Sequence, residues 1–169
     1  DNFLEVLHTL QGLIQDGKIR HIGLSNETAW GMNKWLQLAR DHDLPRMASI
    51  QNEYSLLCRQ FEPDLSEIAL HEDCGLLAWS PLSRGILSGK YLDGAQPAGA
   101  RLTMETRPEH RVGEQVDRAS KKYVELALRY DLDPCQMALA FVNSRPFVSS
   151  TLIGATTMQQ LKSNIDSVS

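Results

Sequence analysis

The chain has 169 residues, of which 42% are hydrophobic and 22% charged, and a formal net charge of -4. This is enough apolar material for a packed core, with neither the bias of a disordered segment nor a membrane span. The acidic balance excludes a nucleic-acid surface, because binding to phosphate backbones needs a concentrated basic face. Arg118, Lys121 and Lys122 come nearest to a basic cluster and are assigned to the wet side of a helix. The three cysteines, Cys58, Cys74 and Cys135, are odd in number and far apart, which points to a reducing compartment and so to the cytoplasm. The chain begins Asp-Asn-Phe with no initiator Met or targeting segment, which suggests a processed or excised piece.

Leu4, Leu7, Leu10 and Ile14 recur at helical spacing, and Gly17-Lys18 supplies a stop, so the first element is an amphipathic helix with no strand before it. Ile19 to Leu24 reads as a strand ending in Ser25-Asn26. Thr28 then caps a helix through Trp30, Trp35, Leu36 and Leu38 to the break at Leu44-Pro45. A second strand, Met47 to Ile50, ends in Gln51-Asn52-Glu53-Tyr54. Pro63 is placed in the first turn of a helix with Leu65, Ile68 and Ala69 on one face, closed by Gly75. Leu76 to Trp79 is an apolar run without alternation, as in a strand buried on both faces. It switches abruptly to Ser80-Pro81-Leu82-Ser83-Arg84-Gly85, and Gly89-Lys90-Tyr91 follows shortly after. Gly94 to Ala100 is a Gly, Pro and Ala-rich excursion. Val116, Ala119, Tyr123, Leu126, Ala127 and Tyr130 trace the next helical face. Asp133-Pro134 starts another helix, with Met137, Ala138 and Phe141 inside, and Arg145-Pro146 ends it. Ser150 to Ile153 is a fourth strand running into Gly154-Ala155-Thr156-Thr157. Leu161 and Ile165 belong to a last helix.

Strands and helices thus alternate, which implies an α/β fold with parallel strands joined by right-handed crossovers. Each strand finishes in polar or small residues: Ser25-Asn26, Gln51-Asn52, Ser80, and Gly154 with Thr156. In a parallel α/β arrangement such ends share one edge, where ligands bind. The hydroxyls, small residues and two cations, Arg84 and Lys90, describe a seat for a ligand with phosphate groups, and Trp79 offers a flat face to a planar ring. An ordinary solvated loop is the competing reading of the same residues. An open doubly wound sheet would carry a G-x-G-x-x-G turn at the first strand-helix junction, and none is present. The fold expected is therefore a partial (β/α)8 TIM barrel, since four strands are half of the eight or so that close one.

Other chemistries find no support. Gly85-Ile-Leu-Ser-Gly89-Lys90-Tyr91 has three residues between its glycines instead of a Walker loop's four, and Tyr follows the Lys where Ser or Thr belongs. His8, His21, His42, His71 and His110 show no metal-ligand spacing. There is no G-x-S-x-G elbow. Tyr123 and Tyr130 belong to a helical face and are expected in the core, while Tyr54 and Tyr91 lie near the strand ends without an evident Lys or Asp partner.

Gly17 to Asn26, Gln51 to Leu56, Trp79 to Tyr91 and Ile153 to Thr157 with Gln160-Leu161 and Asn164-Ile165, taken together in this order and spacing, resemble the C-terminal half of an aldo-keto reductase. The likeness is nearest to bacterial Tas-type members and the potassium-channel β-subunit branch. It implies that residues 1–169 are strands 5 to 8 of a single barrel domain with their helices, the N-terminal half being absent. It also implies reduction of aldehydes or ketones by hydride transfer from NADPH and a small-molecule carbonyl substrate; the composition leaves neither nucleic acid nor membrane expected as partner. By resemblance, Ser25, Asn26 and Gln51 hold the nicotinamide carboxamide, and Trp79 stacks on the ring. Ser80, Pro81, Leu82, Ser83, Arg84 and Gly85 cover the pyrophosphate. Lys90 contacts the phosphate side, and Arg101 matches a further basic contact with its spacing one residue off. Gly154, Thr156, Gln160 and Asn164 grip the adenosine and its 2′-phosphate. Ser163 stands where many relatives carry Glu, and Gln160 where some carry Arg.

The family's catalytic Asp, Tyr, Lys and His all lie in the other half of its barrel, so no catalytic residue is named here. The chain alone is expected not to turn over carbonyl substrates. The alternative is a non-catalytic cofactor-binding or interaction module resembling a channel β-subunit. Two unpaired sheet edges would favour self-association of the half barrel. Substrate choice would fall to the excursion from Tyr91 to Gly113.

Overall fold

A computed structural model of the chain describes residues 2–104 and 113–168. His110 and part of the Tyr91 to Gly113 excursion lie outside the described residues. The elements run α1 (Phe3–Gln15), β1 (Ile22–Ser25), α2 (Ala29–Asp41), β2 (Met47–Glu53), α3 (Leu65–His71), β3 (Gly75–Trp79), two 3-10 segments (Ser83–Ser88 and Leu92–Gly94), α4 (Arg101–Met104), α5 (Glu114–Arg129), α6 (Pro134–Asn143), β4 (Val148–Thr151) and α7 (Met158–Asp166). The strands form one sheet in the order β1-β2-β3-β4, so sequential strands are neighbours. Parallel pairing sets Leu24 against Ile50 and Ser25 against Gln51. Between β3 and β4, Leu76 N–H donates to Phe147 O and Leu152 N–H to Ala78 O, both at 2.8 Å. This is the α/β fold with a parallel sheet that the alternation predicts.

The chain divides into two compact units, Asp1–Glu53 with Gln60–Leu77 and Pro146–Ser150, and Tyr54–Arg59 with Ala78–Arg145 and Thr151–Ser169. The first has a core of Leu7, Met32, Leu36, Ile50, Phe61 and Leu76, each at most 1% exposed. Tyr54, Ala78, Leu87, Ala127, Leu139 and Val142 are buried to the same degree in the second. There Phe141 stacks on Tyr54 at 5.9 Å between centroids, and the guanidiniums of Arg59 and Arg145 each lie 4.7 Å from its ring centre.

Three helix starts carry a side-chain cap. Thr28 accepts from Gly31 N–H, Asp133 from Gln136 N–H with Pro134 in the first turn, and Thr157 from Gln160 N–H. Four helix ends, those of α1, α2, α3 and α5, share one device, the Schellman turn. Lys18 N–H returns to Leu13 O, Leu44 to Ala39, Cys74 to Ala69 and Leu132 to Ala127, at 2.8 to 3.0 Å. The left-handed residue of each turn is Gly17, Asp43, Asp73 or Asp131. Asp is tolerated there because its short polar side chain can bond locally.

Several sequence expectations are corrected. The strand expected from Ile19 starts at Ile22, because Lys18 and Ile19 N–H both still bond Leu13 O. The second strand runs on to Glu53. Pro63 precedes the cap residue Asp64 instead of occupying the first turn, and Asp73, not Gly75, closes that helix. Gly75 opens β3, where Ser149 Oγ occupies the space a Cβ would need. In β3 only Leu76 and Ala78 are fully buried, with Leu77 and Trp79 half-buried, so the strand does alternate. The inner face of α5 is Val116, Ala119, Ser120, Tyr123, Val124 and Ala127, while Leu126 and Tyr130 are 41% and 66% exposed. Val124 takes the inward position because it closes on Gly89, whose added Cβ would meet Val124 Cγ2 at 3.1 Å. The fourth strand spans Val148–Thr151, two residues earlier than expected, leaving Leu152 and Ile153 about 40% exposed beyond it.

Candidate cofactor site

Three clusters of expected site residues form, one in the first unit and two in the second. In the first, Ser25 closes β1 as the register partner of Gln51. Asn26 follows in the left-handed region at φ 52° and donates its N–H to Gln51 O at 2.9 Å. The chain must break from the strand direction here to enter α2. Asn52, read from the sequence only as part of a polar strand end, and Glu27, not singled out there, hold the turn. Asn52 Nδ2 donates to Glu27 O at 3.2 Å. The Glu27 carboxylate accepts from Thr28 N–H at 2.8 Å and from Trp35 Nε1 at 3.3 Å. The sequence shows only that Asn52 stands in the polar end of a strand; that β2 extends through it to Glu53 is seen in the structure.

The second cluster follows β3. Trp79 is half-buried at the strand's end, and its carbonyl accepts from Tyr54 N–H at 3.3 Å. The chain then turns on left-handed residues, Ser80 at φ 53°, Ser83 at 47°, Arg84 at 58° and Gly85 at 89°. Such a density of positive φ in non-glycine residues stores strain, which clusters where backbone must face a ligand. Internal bonds hold the turn: Ser83 N–H to Ser80 O at 2.8 Å, Gly85 N–H to Leu82 O at 2.9 Å, and Ser88 Oγ to Gly85 O at 2.7 Å. Pro81 and Ser83 are buried beneath it, while Leu82 and Arg84 are half-buried. Lys90 crosses directly over Gly85, its Nζ 3.0 Å from where a Cβ would sit and 5.1 Å from the Tyr91 ring centre. Arg101 opens α4, a helix moored to the turn by Leu102 N–H donating to Tyr91 Oη at 3.2 Å. The Lys90 charge also reaches the half-buried Cys135. Burial pushes that thiol up to about 11, Asp133 adds to the rise and Lys90 opposes it.

The third cluster joins β4 to α7. Asn164, 7% exposed, donates from Nδ2 to Gly154 O at 3.4 Å. Gln160 Oε1 accepts from Thr156 N–H at 2.8 Å and from its hydroxyl at 3.0 Å. Gly154, Thr156 and Gln160 are exposed, beside the N-terminus of α7. Ser163 is held away from them, accepting from Gln136 Nε2 at 3.3 Å. Of the tyrosines weighed as acids, Tyr54 is wholly buried, and Tyr91 Oη accepts from Leu102 N–H at 3.2 Å. Tyr123 is half-buried against Leu56 O, whereas Tyr130 stands exposed and not in the core. Among the described residues no group of three or more His, Cys, Asp or Glu is placed to hold a metal ion, and no helix is long and apolar enough to cross a membrane.

A parallel α/β sheet whose strand ends carry polar turns defines a ligand-binding class of fold. Residues 1–169 match the model of the aldo/keto reductase family, and the chain belongs to that family. It is 54% identical to the protein tas of Escherichia coli over 167 residues, covering 99% of this chain and 48% of that protein. It is 41% identical to an aldo-keto reductase of Babesia bovis, over 94% of this chain and 58% of that one. A putative voltage-gated potassium channel subunit β of Schizosaccharomyces pombe is 33% identical over 97% of this chain and 49% of its own length. The chain thus spans about half the length of these curated relatives.

Proposed function

We propose that this chain carries the nicotinamide-cofactor-binding part of an oxidoreductase that reduces aldehydes or ketones with NADPH. The observation that supports this most is the left-handed, cation-bearing turn directly after Trp79, in a chain that belongs to the aldo/keto reductase family. The residues fit the group. Trp79 is half-buried at a strand end, Gly85 lets the Lys90 side chain lie directly over the backbone, and Arg84 and Lys90 supply positive charge there. When bound, the cofactor supplies the hydride for the carbonyl carbon.

In this reading Ser25, Asn26 and Gln51 fix the carboxamide and so choose the ring face, and Trp79 stacks on the ring. Ser80 to Gly85 fold over the pyrophosphate with Arg84 as counter-charge, with Lys90 and Arg101 adding to it. Gly154, Thr156, Gln160 and Asn164 take the adenosine and its 2′-phosphate, where a carboxylate-free pocket favours NADPH over NADH. The four strands are assigned as 5 to 8 of one barrel domain. The carbonyl substrate is a small molecule, the setting cytoplasmic, and the exposed sheet edges a route to self-association. No proton donor to the carbonyl is named in this chain, which is read as binding the cofactor without turning over substrate.

Titration with NADPH and NADH, followed by tryptophan emission, tests the reading with Trp79→Phe as control. Saturable quenching that favours NADPH and vanishes in the variant supports it. No binding by the folded chain removes it for these 169 residues. Measurable reduction of 4-nitrobenzaldehyde by the pure chain would overturn the expected inactivity.

A further inference from the structure

We propose that Asn52 is a positioning residue that holds the Asn26 turn in the conformation needed to face a nicotinamide carboxamide; this rests on the reading above. Asn26 is at φ 52°, a region its backbone would leave without restraint. Two bonds from β2 supply that restraint: Gln51 O accepts from Asn26 N–H at 2.9 Å, and Asn52 Nδ2 donates to Glu27 O at 3.2 Å. The Glu27 side chain is fixed from the opposite side, by Thr28 N–H and Trp35 Nε1, and lies over Gly31 in the space a Cβ there would take. Glu27 is therefore clamped between β2 and α2, and Asn26 hangs between two anchored neighbours.

The chemistry of Asn52 argues that its donor is the group retained. Its Oδ1 is buried with no hydrogen-bond partner among the described residues, and an unmatched buried acceptor is costly. An apolar side chain of similar size would avoid that cost, but would leave Glu27 O without this donor. Turning the amide over does not help, since Oδ1 would then face a carbonyl oxygen.

Two variants separate the donor from the shape. Asn52→Leu keeps the bulk without the donor, and Asn52→Asp keeps the shape but presents acceptors only. In both, the Asn26 amide proton is expected to exchange about tenfold faster with solvent, while that of Leu36 in α2 keeps its protection. Both variants are expected to bind NADPH about tenfold more weakly and adenosine 2′,5′-bisphosphate, which lacks the nicotinamide, as well as the wild type does. Unchanged Asn26 exchange, or a loss shared equally by Leu36, overturns the proposal. So does equal weakening of both ligands, as a general loss of structure would give. If the wild type binds neither ligand, the cofactor reading fails and the proposed service to the carboxamide fails with it. The exchange data then still decide whether Asn52 fixes the turn.

Discussion

Gly85 is the residue at which backbone and ligand chemistry meet most tightly. Its φ of 89° suits no side chain, and an added Cβ would lie 2.9 Å from Lys90 Cε. Gly85→Ala is therefore expected to lower stability by about 1–2 kcal/mol and to displace Lys90. Urea unfolding with NADPH titration checks this, and an unchanged midpoint with unchanged affinity would show that the turn relaxes freely. Cys135 gives a pH signature. Its folded thiol is raised to about 11 from an ordinary 9.0, first by burial. The fold thus favours the protonated form, so the contribution to stability is complete below about pH 9 and is lost as pH rises through about 11. Over that window the wild type is expected to lose more stability than Cys135→Ala, as read from urea midpoints at pH 8 and 10.5. Equal slopes would contradict the assignment.

At the scale of elements, the helix starts at Thr28 and Asp133 were legible because capping chemistry is local, whereas Pro63 misled at the start of α3. Asp133 is a clear case, and Asp133→Ala is expected to cost about 1 kcal/mol by loss of the bond to Gln136 N–H. A thermal melt of the variant that overlays the wild type would refute the cap. Strand limits were less legible, since they depend on which chain lies alongside. Nothing local in Ser149 announces that it fills the space over Gly75, or that β4 begins two residues earlier than its apolar content suggests. Helix ends read correctly at Gly17, where Gly carries the left-handed turn, and were missed at Asp73, where Asp does. Within the candidate site, the residues at strand ends were readable from type and position. The Asn52 and Glu27 supports were not, because their partner is a backbone carbonyl in one case and an indole eight residues away in the other.

For the whole molecule, the division into two units does not follow the chain. Its path passes between them after Glu53, Arg59, Leu77, Arg145 and Ser150, so β3 and β4 each contribute residues to both. Because those two strands are shared, one cooperative unfolding transition is expected. Far-ultraviolet circular dichroism and the emission of Trp30 and Trp35 in a Trp79→Phe background should give coincident urea curves. Separated midpoints would show independent units. The left-handed residues add a division of another kind. Asp43, Asp73 and Asp131 close helices through self-contained turns, whereas Asn26, Ser80, Ser83 and Arg84 follow strands among the expected ligand contacts. Mutational latitude is thereby partitioned: a diversified library could exchange the three aspartates for glycine or asparagine and accumulate robustness there, while the strand-end quartet stays fixed and specificity is left unspent.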